Sequence, residues 1–288
     1  MYITDKKNIV AIELGDALYP KEWKNLPDKP KTLYAIGNTK LLKERKFAIV
    51  GSRTTIATAL KLGAEIAKEI TQAFAVVTGV ADGGDSSAIE GGILGGGKII
   101  CLLAGGFSAL PQSNLTLLEK AVQAGGLLLS PHAYEVGVRA FSYEYRNKLL
   151  AFLSEGVLVT GAGQKSGALI TARYAYKLKK PVFAFPYPPN AHAGVGCNAV
   201  IKAGGYLTES AEDIFKRFDL SFEKREKRVN LTQDERKVLD ILREKGEAHI
   251  SELGDLSGIP VFKAKALLSA LEVKGLAVSL GGNRYAPV

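Results

Sequence analysis

The sequence predicts an α/β fold: an extended, Rossmann-like, doubly wound parallel sheet followed by a small C-terminal winged-helix domain. Three observations lead there. From Phe47 onward, short β-branched apolar runs alternate with amphipathic stretches; each run is followed by glycines and hydroxyls; and residues 231–288 change to a helical pattern that closes on a hairpin signal. Strands are expected at 47–50, 75–78, 98–103, 126–129, 156–160 and 181–185, with helices at 57–71, 86–94, 114–123, 143–153 and 167–179. Strands that are apolar almost throughout, each followed by a helix, belong to a parallel sheet covered on both faces.

Around this domain, taken as 47–218, three further segments are expected. Residues 1–46 carry Tyr19-Pro20, Trp23 and Leu33-Tyr34 and read as a lead-in that packs aromatics on the core. Residues 219–230 contain Lys224-Arg225-Glu226-Lys227-Arg228 and read as a linker. In 231–288, Thr232 caps a helix that runs through Lys245, with Val238, Leu239, Ile241 and Leu242 as its stripe. A short helix from Ile250 ends at Gly258, Pro260 opens a third with Ala264, Leu267, Leu268 and Leu271 on one face, and Gly281-Gly282-Asn283 turns a hairpin. Helix, turn, helix and hairpin make a winged helix.

Composition narrows the function. Apolar residues make up 47% and charged residues 23%, which excludes wholesale disorder. No apolar stretch approaches the roughly 18 residues of a membrane helix, and the N-terminus lacks the apolar core of a leader, so a cytoplasmic location is expected. Two cysteines and three scattered histidines offer neither a disulfide framework nor a metal cluster, so no metal and no cofactor are expected. The net charge is +9: residues 1–218 hold 26 basic against 18 acidic side chains, and 219–288 hold 12 against 11. That excess favours an anionic partner.

In a parallel sheet, ligands bind beyond the carboxyl ends of the strands. The segments expected there are Gly51-Ser52-Arg53-Thr54-Thr55, Gly79 to Ser87, Gly105-Gly106-Phe107-Ser108, Gly161 to Gly167, and Gly194 to Asn198. Glycine lets a ligand approach the backbone, free N–H groups accept anions, and helix dipoles favour negative charge there. A P-loop is excluded because Gln164 stands where glycine must precede Lys165-Ser166, and a dinucleotide fingerprint is excluded because the first loop lacks its later glycines. The run from Arg139 to Lys148 interleaves Phe141, Tyr143 and Tyr145 with Arg146 and Lys148, a pattern that suits stacked bases and a phosphate backbone. The three histidines are expected to be structural or solvated, Asp85 to cap a helix rather than pair with Asp82, and Cys197 to be unreactive.

Taken together, several motifs resemble the DNA-processing protein A (DprA/Smf) family. They are Leu33-Tyr34-Ala35-Ile36-Gly37, Ala48 to Arg53, Thr78-Gly79-Val80-Ala81 with Gly83 and Asp85, Pro111 with Asn114, Phe141 with Arg146-Asn147-Lys148, Ser166 to Ala172, and Gly196-Cys197-Asn198 with Ile201 to Gly204. The resemblance implies a cytoplasmic, non-catalytic homodimer that binds single-stranded DNA and loads a RecA-type recombinase in natural transformation. It implies that Gly51, Ser52 and Arg53 form a phosphate pocket. Arg146 and Lys148 would line a basic track, with Ser166, Gly167 and Thr171 beside it and Asn198 and Lys202 closing the far side; on the residues themselves, Phe141, Asn147 and Lys165 are expected to contact the strand as well. The chain departs from the family pattern at Ile89, where the family has histidine, at Ser130-Pro131, and at Lys148, which stands for an arginine. Two rival readings remain at this point: a Rossmann enzyme or sensor for a single nucleotide, and a winged-helix regulator that reads duplex DNA.

Overall fold

A computed structural model describes residues 3–223 and 231–287, and it divides into two compact units, Met1–Lys224 and Arg225–Val288. The charged run of the expected linker, 224–230, lies outside the described residues.

In the first unit the elements run β1 (Val10–Glu13), β2 (Thr32–Gly37), β3 (Lys46–Gly51), α1 (Ala57–Ile70), β4 (Ala75–Thr78), α2 (Gly84–Leu94), β5 (Ile99–Leu102), α3 (Leu115–Gln123), β6 (Leu127–Ser130), α4 (Ala140–Leu153), β7 (Val157–Gly161), α5 (Ala168–Lys177), β8 (Val182–Ala184), α6 (Val195–Lys202), β9 (Tyr206–Leu207) and α7 (Ala211–Arg217). Among the described residues its strands form one nine-stranded sheet in the order β1-β2-β6-β5-β4-β3-β7-β8-β9. From β6 through β9 in that order every pairing is parallel, whereas β1 and β2 are antiparallel to their neighbours. Strands β3 to β7 are buried nearly throughout, as two-sided coverage requires. The doubly wound α/β fold is therefore observed, with each expected strand and helix present to within a few residues.

The chain winds outward from β3 to β6 in one direction, then crosses to β7 on the other side of β3 and continues to β9. The order reverses between β3 and β7, which makes their carboxyl ends the expected binding crevice. There the ladder shifts register between Val50 and Gly51, and the Ser52 N–H donates to the Gly161 carbonyl at 2.7 Å. Such irregularities re-aim the chain as it leaves a sheet.

The lead-in differs from expectation, because β1 and β2 extend the sheet instead of only laying aromatics on it. It still clamps α4: Trp23 Nε1 donates to the Leu149 carbonyl at 3.1 Å, and the hydroxyl of Tyr145, on α4 itself, donates to the Asp28 carbonyl at 2.7 Å. Helix α4 starts earlier than predicted, at Ala140, because Ser142 Oγ accepts the Arg139 N–H at 3.1 Å and closes the first turn.

The second unit contains α8 (Gln233–Lys245), β10 (Ala248–His249), α9 (Ile250–Ser257), α10 (Val261–Val273), β11 (Ala277–Gly281) and β12 (Arg284–Pro287). Thr232 and Glu235 form a reciprocal capping box on α8, Gly258 ends α9 in the left-handed region, and β12 lies between β10 and β11. Val238, Leu242, Leu253, Ala264, Leu268 and Leu271 are buried in a core belonging to this unit. Among the described residues no helix is long and apolar enough to cross a membrane, and no group of three or more His, Cys, Asp and Glu side chains could hold a metal ion.

Candidate nucleic-acid interface

At the reversal point the structure has two adjoining cavities of about 300 and 360 Å3. The smaller is walled by Gly51, Ser52 and Arg53 after β3, by Arg146 and Asn147 of α4, and by Ser166, Gly167 and Thr171 at the start of α5. Eight residues named from the sequence thus meet in one place. The larger lies toward β5 and shares Arg53, Ala81, Tyr143 and Arg146 with the first.

Arg146 is the electrostatic centre. It is only 5% exposed, its Nη1 donates to the Leu102 carbonyl at 3.2 Å, and the same nitrogen stands 3.8 Å from Asp85 Oδ2. That separation exceeds a hydrogen bond, so the guanidinium is balanced in charge but incompletely bonded. Its Nε is buried with no hydrogen-bond partner among the described residues, and so is Oγ1 of Thr171, whose residue is fully buried. Buried polar atoms are rarely left this way, and two of them on residues lining one cavity point to a ligand with acceptor oxygens. Burial pushes the Asp85 carboxyl up, while the Arg146 charge and the Ala81 N–H oppose that shift. Burial also works against the charge on Arg146, yet a guanidinium titrates so far above neutrality that it stays a cation.

Backbone geometry makes room for this pair. A Cβ on Gly79 would sit 1.7 Å from Arg146 Nη1 and 2.2 Å from Asp85 Oδ2, so only glycine leaves the guanidinium its place. A Cβ on Gly84 would fall 2.4 Å from the Gly51 Cα, so the first turn of α2 can lie directly against the phosphate-type loop. Arg53 is exposed, and its guanidinium lies over the Tyr143 ring at 5.8 Å on the boundary between the cavities. Asn147 Nδ2 donates to the Gly167 carbonyl at 3.0 Å, and Ser166 Oγ accepts the Ala168 N–H at 3.3 Å, which together fix the turn into α5.

Other expected residues stand elsewhere. Lys148 does not line the crevice: its Nζ pairs with Asp28 at 2.5 Å and ties α4 to the lead-in. The helical repeat explains this, since two residues along a helix is about 200° of turn and Arg146 already faces the crevice. Asn198 holds the backbone of Tyr187 on both sides, accepting its N–H at 3.0 Å and donating to its carbonyl at 2.8 Å, so its amide serves the loop after β8. Phe141 is 64% exposed on the first turn of α4, and Lys165 and Lys202 are exposed on the β7–α5 loop and on α6; none of the three lines either of the two cavities.

Asp85 is not a cap either. Gly83 occupies the N-cap position of α2, and the carboxylate turns inward to Arg146. Tyr143 is the aromatic on the crevice wall; it sits three residues before Arg146, the spacing that puts two side chains on one helical face. His132 is largely buried against Tyr145, and burial lowers its pKa. Cys197 is buried and pushed up to about 12, which leaves no thiolate at neutral pH.

A doubly wound sheet whose order reverses at a glycine-lined crevice places the chain among Rossmann-like α/β proteins. Residues 10–219 match the family model described as DNA recombination-mediator protein A, and the chain belongs to that family. It is 34% identical over 217 residues to the DNA processing protein DprA of Bacillus subtilis, covering 73% of this chain and 72% of that protein. The X-ray structure of DNA processing protein A from Streptococcus pneumoniae superposes with a TM-score of 0.68 at 29% identity, over 75% of this chain and 76% of that one. A structure of the Helicobacter pylori protein, described by its single-stranded DNA binding mode, gives a TM-score of 0.68 at 27% identity, over 77% of this chain and all of that one.

Proposed function

We propose that this chain binds single-stranded DNA along the carboxyl edge of its main sheet and serves as a recombination mediator that delivers the strand to a RecA-type recombinase. The observation that carries this reading is the buried, incompletely bonded Arg146 beside Thr171, on a wall completed by the Gly51-Ser52-Arg53 turn. A phosphate satisfies the orphaned donors, and the exposed Arg53 supplies a forked cation to it. Tyr143 on the crevice wall and the exposed Phe141, two residues before it, offer ring faces for bases. The protein has no chemistry of its own in this reading, acts in the cytoplasm, and pairs as a homodimer so that two crevices engage one strand. The second unit is read as a winged helix that contacts a partner. Its α10 carries Lys263, but Asp234 neutralises that lysine at 2.7 Å, which weakens any case for tight duplex binding.

The test compares single-stranded and duplex oligonucleotides at several salt concentrations, using the intact chain and residues 1–224. Single strands are expected to bind in preference, whatever their sequence class, with log K falling by about 0.7 per log unit of salt for each phosphate neutralised. Residues 1–224 should keep most of that affinity, because the crevice and its core lie wholly within them. A preference for duplex that disappears on truncation would instead support a transcriptional regulator.

A further inference from the structure

The crevice does not hold the chain's surplus of positive charge. Its charged wall residues cancel, Arg53 and Arg146 against Asp82 and Asp85. Residues 20–46, by contrast, carry eight basic side chains and three acidic ones, a net +5 of the chain's +9. Two of those acids are already paired: Glu22 Oε1 lies 2.9 Å from Lys46 Nζ, and Asp28 Oδ1 lies 2.5 Å from Lys148 Nζ. Lys21, Lys24 and Lys31 are exposed, and among the described residues none of them has an acidic partner. Unpaired like charges on one short segment repel one another, a cost that a bound polyanion removes.

The segment from Lys21 to Lys31 runs alongside α4, from the amino end of the sheet to its carboxyl end. Glu22 meets Lys46, the first residue of β3; Trp23 bonds the Leu149 carbonyl; and the Asp28 carbonyl takes the Tyr145 hydroxyl. Lys31 then precedes β2, whose Tyr34 stands opposite Ser130, the last residue of β6. Phe141, Tyr145 and Lys148 follow one another at steps of four and three residues, so the exposed Phe141 shares the face of α4 that meets this segment. We propose that a bound single strand leaves the crevice over the first turn of α4 and continues on a second, sequence-independent contact surface made by Lys21, Lys24 and Lys31. Lysine suits that role, because a point charge on a flexible stem meets a phosphate without fixing its orientation. This inference rests on the single-strand reading above and adds to it a separate contact on the lead-in.

The test uses the intact chain and two oligothymidylates, the shortest that binds the wild type and one several times longer. A triple variant carries Lys21→Gln, Lys24→Gln and Lys31→Gln; all three side chains are exposed, so its stability should match the wild type. It should bind the long strand about tenfold more weakly, with a salt slope smaller by about 2, and bind the short strand as the wild type does. Arginine at the same three positions should restore the long-strand affinity. A control triple, Lys61→Gln, Lys120→Gln and Lys237→Gln, removes the same charge from exposed positions on α1, α3 and α8 and should cost much less. An unchanged long-strand slope in the first triple would overturn the inference and leave single-strand binding standing. So would an equal loss on both strands, or an equal loss in the control triple, which would make the effect one of overall charge. If the wild type binds neither strand, the inference falls together with the single-strand reading.

Discussion

Arg146→Met is expected to destabilise the first unit by about 3–5 kcal/mol, the usual cost of removing one partner from a buried ion pair. The substitution leaves Asp85 fully enclosed, still accepting the Ala81 N–H at 3.3 Å but without its counter-charge, and burial already pushes that carboxyl up. Pairing the change with Asp85→Asn removes the stranded charge and keeps an acceptor for Ala81, so chemical denaturation should show most of the loss recovered. Binding of single-stranded DNA should stay weak in the double variant, because the buried cation is gone in both. A double variant as unstable as the single one would mean that Arg146 is held by packing, not by its charge partner.

Arg53→Ala has the opposite profile. Arg53 is exposed and its recorded contact is with the Tyr143 ring, so stability should move by no more than about 0.5 kcal/mol. Affinity should fall by about tenfold to a hundredfold, matching a charge-assisted hydrogen bond of roughly 1.5–3 kcal/mol, and by the same factor for every sequence. The salt slope should shrink by about 0.7, one phosphate fewer. Arg53→Lys keeps the charge but loses the forked geometry, and should fall between the two. Fluorescence anisotropy at three salt concentrations reads all of these; an unchanged slope would remove Arg53 from the phosphate seat.

The two predictions differ because burial differs, and burial is what the sequence concealed. The strands from β3 to β8 were legible since enclosure on both faces leaves an unbroken apolar run. The four residues of β1 include a single buried side chain, Ile12, so there was no alternation to detect, and β2 could be read only as aromatics seeking a surface. The phosphate-type turns were legible too, because glycines and hydroxyls at the end of a strand have few other uses. Lys148 was misplaced for want of helical phase: composition cannot separate it from Arg146, whereas counting turns from Tyr143 does. The Arg146–Asp85 contact and the cavity at Asp82 were out of reach, being assembled from α4, the β4–α2 turn and the loop after β5, which only the folded sheet brings together. Likewise, Asn198 stands at a motif position yet spends both ends of its amide on Tyr187.

The central claim is that the crevice seats a stretch of polymer and not a lone nucleotide. The direct measurement is the affinity of the intact chain for oligothymidylates of increasing length, with thymidine monophosphate as the shortest. Affinity should climb by orders of magnitude with length before levelling off, and its salt dependence should steepen in step as more phosphates are neutralised. A mononucleotide bound as tightly as the longest strand, with a salt slope that never grows, would contradict the account.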